Sequence, residues 1–278
     1  MWKLTNVLLQ YIVPHHLLSR LVYKATRCAW RPWKNTLIRL FINKYKIDMS
    51  LAEKSSAHEF ETFNDFFTRG LKPGVRPIEP VGHGLVSPVD ATINALGKIE
   101  DSRIFQAKGK NYSLEELLNG DREHSGYYRN GNFITLYLSP RDYHRIHIPA
   151  DGELQSMAYI PGRLFAVNPA NTHRIDRLFA RNERVITTFR AEIGMFSVIF
   201  IGAIFVGSIE TVWHGQITPA ARREYQKWHY DPGIVFRQGD EIGRFNMGST
   251  VIVLTEPHKI DWSVTTEWVA MGQQIARL

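Results

Sequence analysis

Beyond residue 60 the apolar residues of this chain come in brief, β-branched runs set between Gly, Pro and Asp turns. Residues 133–138, 185–189, 196–206 and 250–255 have this texture, which is that of buried strands. The longest, Phe196 to Val206, falls well short of the roughly 20 apolar residues that span a bilayer. Strands do not alternate with helices of useful length, which argues against a doubly wound sheet. Two short helices are expected. One covers 63–69 and leads into the broken stretch around Pro73, Pro77 and Pro80. The other covers 112–118, where Ser113 and Glu116 form a capping box.

The first 50 residues read differently. Leu4, Val7, Leu8, Tyr11 and Ile12 recur at helical spacing, and Pro14 interrupts them. Leu17, Leu18, Leu21 and Val22 resume the pattern beside Arg20, Lys24, Arg27 and Arg31. After Pro32, the residues Trp33, Leu37, Leu40 and Phe41 make another stripe. The sequence thus predicts an α+β fold: an N-terminal amphipathic helical region (1–60) followed by a β-rich catalytic domain (61–278).

Charge follows the same division. Of 34 Lys+Arg and 27 Asp+Glu, nine and one fall in residues 1–50, leaving 25 and 26 for the rest. The formal charge of +7 is therefore an N-terminal property, directed at an anionic surface. A basic face opposite a Trp/Leu face suits a helix lying in a membrane interface, and packing on the protein's own core is the alternative. The start lacks the continuous apolar region and small-residue cleavage site of a signal peptide. A single cysteine, Cys28, excludes an internal disulfide and any multi-cysteine metal site, and fits a reducing compartment.

Three places carry chemistry. Asp90, in Ser87-Pro88-Val89-Asp90-Ala91-Thr92, either orients a histidine or caps a turn. His144 and His147, after an apolar strand, either move protons near neutral pH or serve as bonded structural groups. With no HExxH motif or cysteine cluster, no metal site is expected. Ser249 stands in Gly248-Ser249-Thr250, ahead of an apolar β-branched run. The glycine before it has no side chain to shield its carbonyl, so the Ser249 hydroxyl can reach its own preceding peptide bond. Asp90, His147 and Ser249 supply the parts of a Ser-His-Asp triad, which is recognised by roles rather than chain order. The Gly-x-Ser-x-Gly elbow is absent.

Residues 243–252 resemble the processing site of the phosphatidylserine decarboxylases, usually written Leu-Gly-Ser-Thr, with Met247 in place of leucine. Residues 137–147, 87–91, 63–69 and 164–169 resemble the same family, whereas the first 50 residues match only in character. The resemblance implies a proenzyme cut between Gly248 and Ser249 into chains 1–248 and 249–278. In it Ser249 attacks the Gly248 carbonyl, His147 is the base and Asp90 holds the imidazole. Elimination across Ser249 then breaks the resulting ester and leaves a dehydroalanine, which water converts to a covalent pyruvoyl group with release of ammonia. That group forms a Schiff base with the amine of phosphatidylserine and accepts the electrons released as carbon dioxide departs. His144 is expected to return the proton, its spacing from His147 placing both on one face of a helical turn. Arg141 or Arg145 could meet the head group. Peripheral attachment to the cytoplasmic face of the cell membrane, retention of the cleaved small chain and a homodimer are further implications; no nucleic-acid partner is expected. The rival readings are a serine hydrolase using the same triad on an external ester or amide, and a β-rich membrane-binding module without chemistry.

Overall fold

The computed structural model describes residues 10–11, 13–79, 84–107, 109–204, 208–220, 223–246, 248–258, 260–264 and 266–277. Helices come first and sheets follow, the α+β order expected from the sequence. The largest sheet has eight antiparallel strands. Their spatial order is Gln226–Phe236, Gly152–Ile160, Arg184–Ala191, Gly194–Ile201, Thr250–Thr255, Asn132–Tyr137, Ala91–Lys98 and Trp268–Val269. The four apolar runs all become strands of this sheet. They are continuous rather than alternating because both faces are covered, as the burial of all six residues of Thr250–Thr255 shows. The run begun at Phe196 leaves the sheet after Ile201, where Gly202 turns back to donate its N–H to the Glu183 carbonyl at 2.7 Å. Val206 lies outside the described residues.

A smaller sheet joins Gly215–Gln216, Ile209–Thr211, Glu241–Phe245 and Arg145–His147. This corrects one expectation. His144 and His147 do not share a helical face, because Arg145–His147 is extended and pairs with residues 241–244. Successive side chains then alternate, and residues three apart point to opposite sides.

The short helices form where their caps predict. Thr62 caps Phe63–Phe67 by accepting from the Asp65 N–H, and Ser113 with Glu116 makes the capping box of Leu114–Leu117.

The N-terminal stripes are only partly buried. Leu4, Val7, Leu8 and Ile12 lie outside the described residues. Helix Arg31–Tyr45 carries Pro32 in its first turn instead of being broken by it, since proline suits that position. It packs Leu37, Ile38, Phe41, Ile42 and Tyr45 against Phe60, Phe63, Phe66 and Phe67, in a cluster apart from the main core. Trp33 and Leu40 of the same expected stripe are exposed. Helix His15–Thr26 buries His15, Ser19 and Thr26 and leaves Leu17 and Leu21 57% and 56% exposed. Among the described residues no helix is long and apolar enough to cross a membrane.

Candidate active site

Strand Thr250–Thr255 is hydrogen-bonded on both edges, to Asn132–Tyr137 and to Gly194–Ile201. That pairing fixes the residue just before it. The Ser249 carbonyl accepts the Leu138 N–H at 2.8 Å, and the Ser249 hydroxyl donates to the Ile201 carbonyl. Ser249 is fully buried. At Gly248 a Cβ would stand 2.7 Å from His144 Nε2 and 3.2 Å from the Leu138 carbonyl oxygen. Glycine is required for this close approach.

His144 is held from two sides. Its ring packs on Phe67 with centroids 4.1 Å apart, and its Nδ1 lies 2.7 Å from the Asp142 carbonyl oxygen. A carbonyl only accepts, so the proton is assigned to Nδ1 and Nε2 keeps a bare lone pair. Among the described residues Nε2 is buried without a hydrogen-bond partner. Burial, followed by the charge of Arg69, lowers the pKa to about 3. The imidazole is therefore neutral at physiological pH, with its free nitrogen directed at Gly248.

His147 has other company. Its Nδ1 donates to the Gly239 carbonyl at 2.8 Å, and its Nε2 accepts from the Tyr143 hydroxyl at 3.1 Å. Burial lowers its pKa, and the Gly239 carbonyl, Glu241 and Asp90 oppose that shift. Asp90 is gripped by Arg76 through two hydrogen bonds, of 2.8 and 2.7 Å, and accepts the Met271 N–H at 2.8 Å. The structure thus brings together Ser249, Gly248 and His144. Asp90 and His147 are within electrostatic reach of each other, but each spends its hydrogen bonds elsewhere.

Residues that sequence reasoning left without a role support this arrangement. Arg69 is buried and donates from Nη2 to the Arg141 carbonyl at 2.9 Å, bracing the loop that carries His144. Asn64 donates to Asn246 at 2.9 Å, and Asn246 donates to the Ser208 hydroxyl at 2.8 Å, which fixes the segment entering Gly248. The signal for Arg69 and Asn64 was their place in the 63–69 motif. Arg145 is engaged by Glu241 at 3.0 Å and by the Thr68 carbonyl at 2.9 Å, while the Arg141 side chain is largely exposed.

A cavity of about 280 Å³ opens at Gly248, lined by Phe41, Tyr45, Phe67, Tyr137, Leu138 and Asn168 among others. Phe41 and Tyr45 come from helix Arg31–Tyr45, so the N-terminal region supplies part of the wall. A larger hollow of about 570 Å³, between Asp121, Glu153, Lys227 and His229, shares no residue with this site.

A buried serine thus follows a glycine that faces a bare imidazole nitrogen. Comparison with known proteins places the chain that carries this arrangement. The family model described as phosphatidylserine decarboxylase matches residues 63–277, and a second model, described only as PSD, matches residues 5–46. The phosphatidylserine decarboxylase proenzyme of Methylococcus capsulatus is 50% identical over 256 residues, covering 91% of this chain and 88% of the relative. The proteins of the same description from Shewanella sp. strain MR-4 and Pseudomonas putida strain F1 are 46% and 44% identical, covering 98% and 97% of this chain and 96% of each relative. The chain belongs to the phosphatidylserine decarboxylase family and is an enzyme of the carboxy-lyase class. The likeness also reaches further toward the N-terminus than the sequence motifs indicated, since residues 5–46 match a model of their own.

Proposed function

We propose that this chain is made as a proenzyme, cuts itself between Gly248 and Ser249, and decarboxylates phosphatidylserine to phosphatidylethanolamine with a pyruvoyl group derived from Ser249. The observation that carries the reading is the Gly248–Ser249 junction, with Ser249 buried at the head of a doubly paired strand and His144 Nε2 against the half-buried Gly248. Nucleophile and target carbonyl belong to adjacent residues, and well-oriented intramolecular attack reaches effective molarities on the order of 10⁵–10⁸ M.

The surroundings fit the group. Thr250–Thr255 keeps its ladder on both sides, and the Leu138 N–H holds the carbonyl of residue 249. Cutting the peptide bond before Ser249 therefore leaves position 249 on a fixed mount. The small chain 249–278 also pairs through Gln274–Arg277 with Gly84–Val86 and through Trp268–Val269 with Ala91 and Thr92, so it stays with the large chain. When formed, the pyruvoyl carbonyl supplies an electron sink for the pair released as carbon dioxide departs.

The proton work falls to the two histidines. By family resemblance His147, oriented by Asp90, removes the Ser249 proton during cleavage, and His144 returns a proton to the substrate carbon, for which its bare Nε2 must first take one up. For His147 to serve, it must exchange Tyr143 for Ser249, and Asp90 must loosen its grip on Arg76. A second assignment is favoured by the free Nε2 beside Gly248: His144 acts in both steps. Mass analysis of His144→Ala and His147→Ala separates the two. An intact chain only in His147→Ala supports the divided roles, and an intact chain only in His144→Ala supports the second assignment.

The cavity at Gly248, walled by Phe41 and Tyr45, suits the glycerol and acyl portion of a lipid. The exposed Leu17, Leu21, Trp30 and Leu40, amid the basic residues of 1–50, support peripheral attachment to the cytoplasmic face of the cell membrane. The function is tested with purified protein and phosphatidylserine vesicles. Phosphatidylethanolamine and carbon dioxide should appear together, only from cleaved protein; turnover by an uncleaved chain would refute the reading.

A further inference from the structure

The start of helix His15–Thr26 meets the 161–163 loop at a second cleft, of about 460 Å³. It is lined by His16, Pro161, Gly162, Arg163, Arg181 and Arg223. Every charged residue in that lining is basic. The framework holding them is regular. Arg163 donates its N–H to the Arg181 carbonyl at 2.8 Å and accepts the Glu183 N–H at 2.8 Å. Gly162 packs so closely on residues 182 and 183 that a Cβ would come within 2.5 Å of their backbone. Its carbonyl then becomes the point on which Arg223 Nη2, at 3.0 Å, and His16 Nε2, at 3.1 Å, converge.

Three arginines here face two carboxylates, Glu183, which attracts Arg223, and Asp176, which attracts Arg181. Among the described residues, the arginine ion pairs lie elsewhere and none involves Arg163, Arg181 or Arg223. Glu183 borders a deeper recess that continues past His16 and Arg223. It accepts the Tyr159 hydroxyl at 2.9 Å, and burial raises its pKa, which weakens it as a counter-charge. Burial and then Arg223 hold the His16 pKa below its ordinary value; burial and then Arg163 do the same at His15. The first turn of the helix carries no acidic residue, so its N-terminal dipole adds to the same positive field. Leu17 and Leu21 stand exposed on that helix. A cationic cleft beside bare leucines matches a molecule with an anionic head and an apolar tail.

We propose that this cleft binds the phosphodiester of an anionic membrane phospholipid, at a site separate from the reacting pocket, with which it shares no lining residue. The proposal rests on the reading of the N-terminus as membrane-associating. Bound there, a lipid head would pin the start of the helix to the membrane surface through charge-assisted hydrogen bonds.

The test is co-sedimentation of the full-length protein with phosphatidylcholine vesicles, with and without phosphatidylglycerol. The wild type should bind the anionic vesicles much more tightly. Replacing two cleft charges, Arg163→Gln with Arg223→Gln, should weaken that binding roughly thirtyfold at about 1 kcal/mol per charge. A matched pair outside the cleft, Lys24→Gln with Lys44→Gln, should cost clearly less. Equal losses from both pairs would overturn the site and leave only diffuse attraction. Unchanged binding of the cleft variant, with an unshifted thermal transition, would overturn it as well. If the wild type ignores both vesicles, the membrane reading itself falls, and the cleft proposal with it. Inorganic phosphate should compete only weakly; competition at the affinity of the vesicles would assign the cleft to a free anion instead.

Discussion

Helix His15–Thr26 and strand Thr250–Thr255 both announce themselves through leucine, isoleucine and valine, yet they place those residues oppositely. The strand buries all six side chains inside the large sheet. The helix buries His15 and Ser19 and turns Leu17 and Leu21 outward. Full burial of such a side chain contributes about 1.5–3 kcal/mol, so the strand is a pillar of the fold, whereas the leucines give up much of that gain. The strand fixes Ser249 in place, and the helix leaves an apolar surface exposed.

The largest effect tests the strand's head. Ser249→Ala should abolish both cleavage and decarboxylation while the protein still folds, because one buried hydroxyl contributes only about 1 kcal/mol. Gel analysis and a carbon dioxide assay read both outcomes. Next comes the strand itself. Ile252→Ala should cost about 2–5 kcal/mol in denaturant unfolding. A cost under 1 kcal/mol would deny the strand its place in the core.

A subtler effect separates the two histidines. Folded His144 has a pKa of about 3, against about 6.5 in an unfolded chain. Between those values the unfolded chain takes up a proton that the folded chain refuses, so stability falls as pH drops from 6.5 towards 3. His144→Gln should flatten that acid limb when urea midpoints are plotted against pH. An unchanged limb would contradict the dry, neutral setting of His144.

The smallest effect on stability belongs to the helix. Leu17→Gln with Leu21→Gln should shift unfolding by no more than about 0.5 kcal/mol per site, yet reduce binding to anionic vesicles. Large destabilisation with normal vesicle binding would reverse the contrast between helix and strand.

What could be read from the sequence divides along the same line. The strands were legible because continuous β-branched runs can be buried on both faces, and the capping box was legible because Ser113 and Glu116 are local. The histidine geometry was not. Whether 144–147 turns or extends is decided by its pairing with Glu241–Phe245, about a hundred residues away. Nor could periodicity reveal that Leu17 and Leu21 of His15–Thr26 face outward, because an apolar stripe fits a membrane as well as a core. Ser249, Gly248 and His144 were named in advance and stand together. Asn64 and Asn246 each lie in a motif read from the sequence, but nothing local showed that residues 182 apart would pair.

Intact mass under denaturing conditions tests the central claim most directly. The account predicts two chains, the smaller comprising residues 249–278, with its first residue carrying the mass of a pyruvoyl group in place of serine. Active wild-type protein that showed a single mass near 32.1 kDa would contradict it.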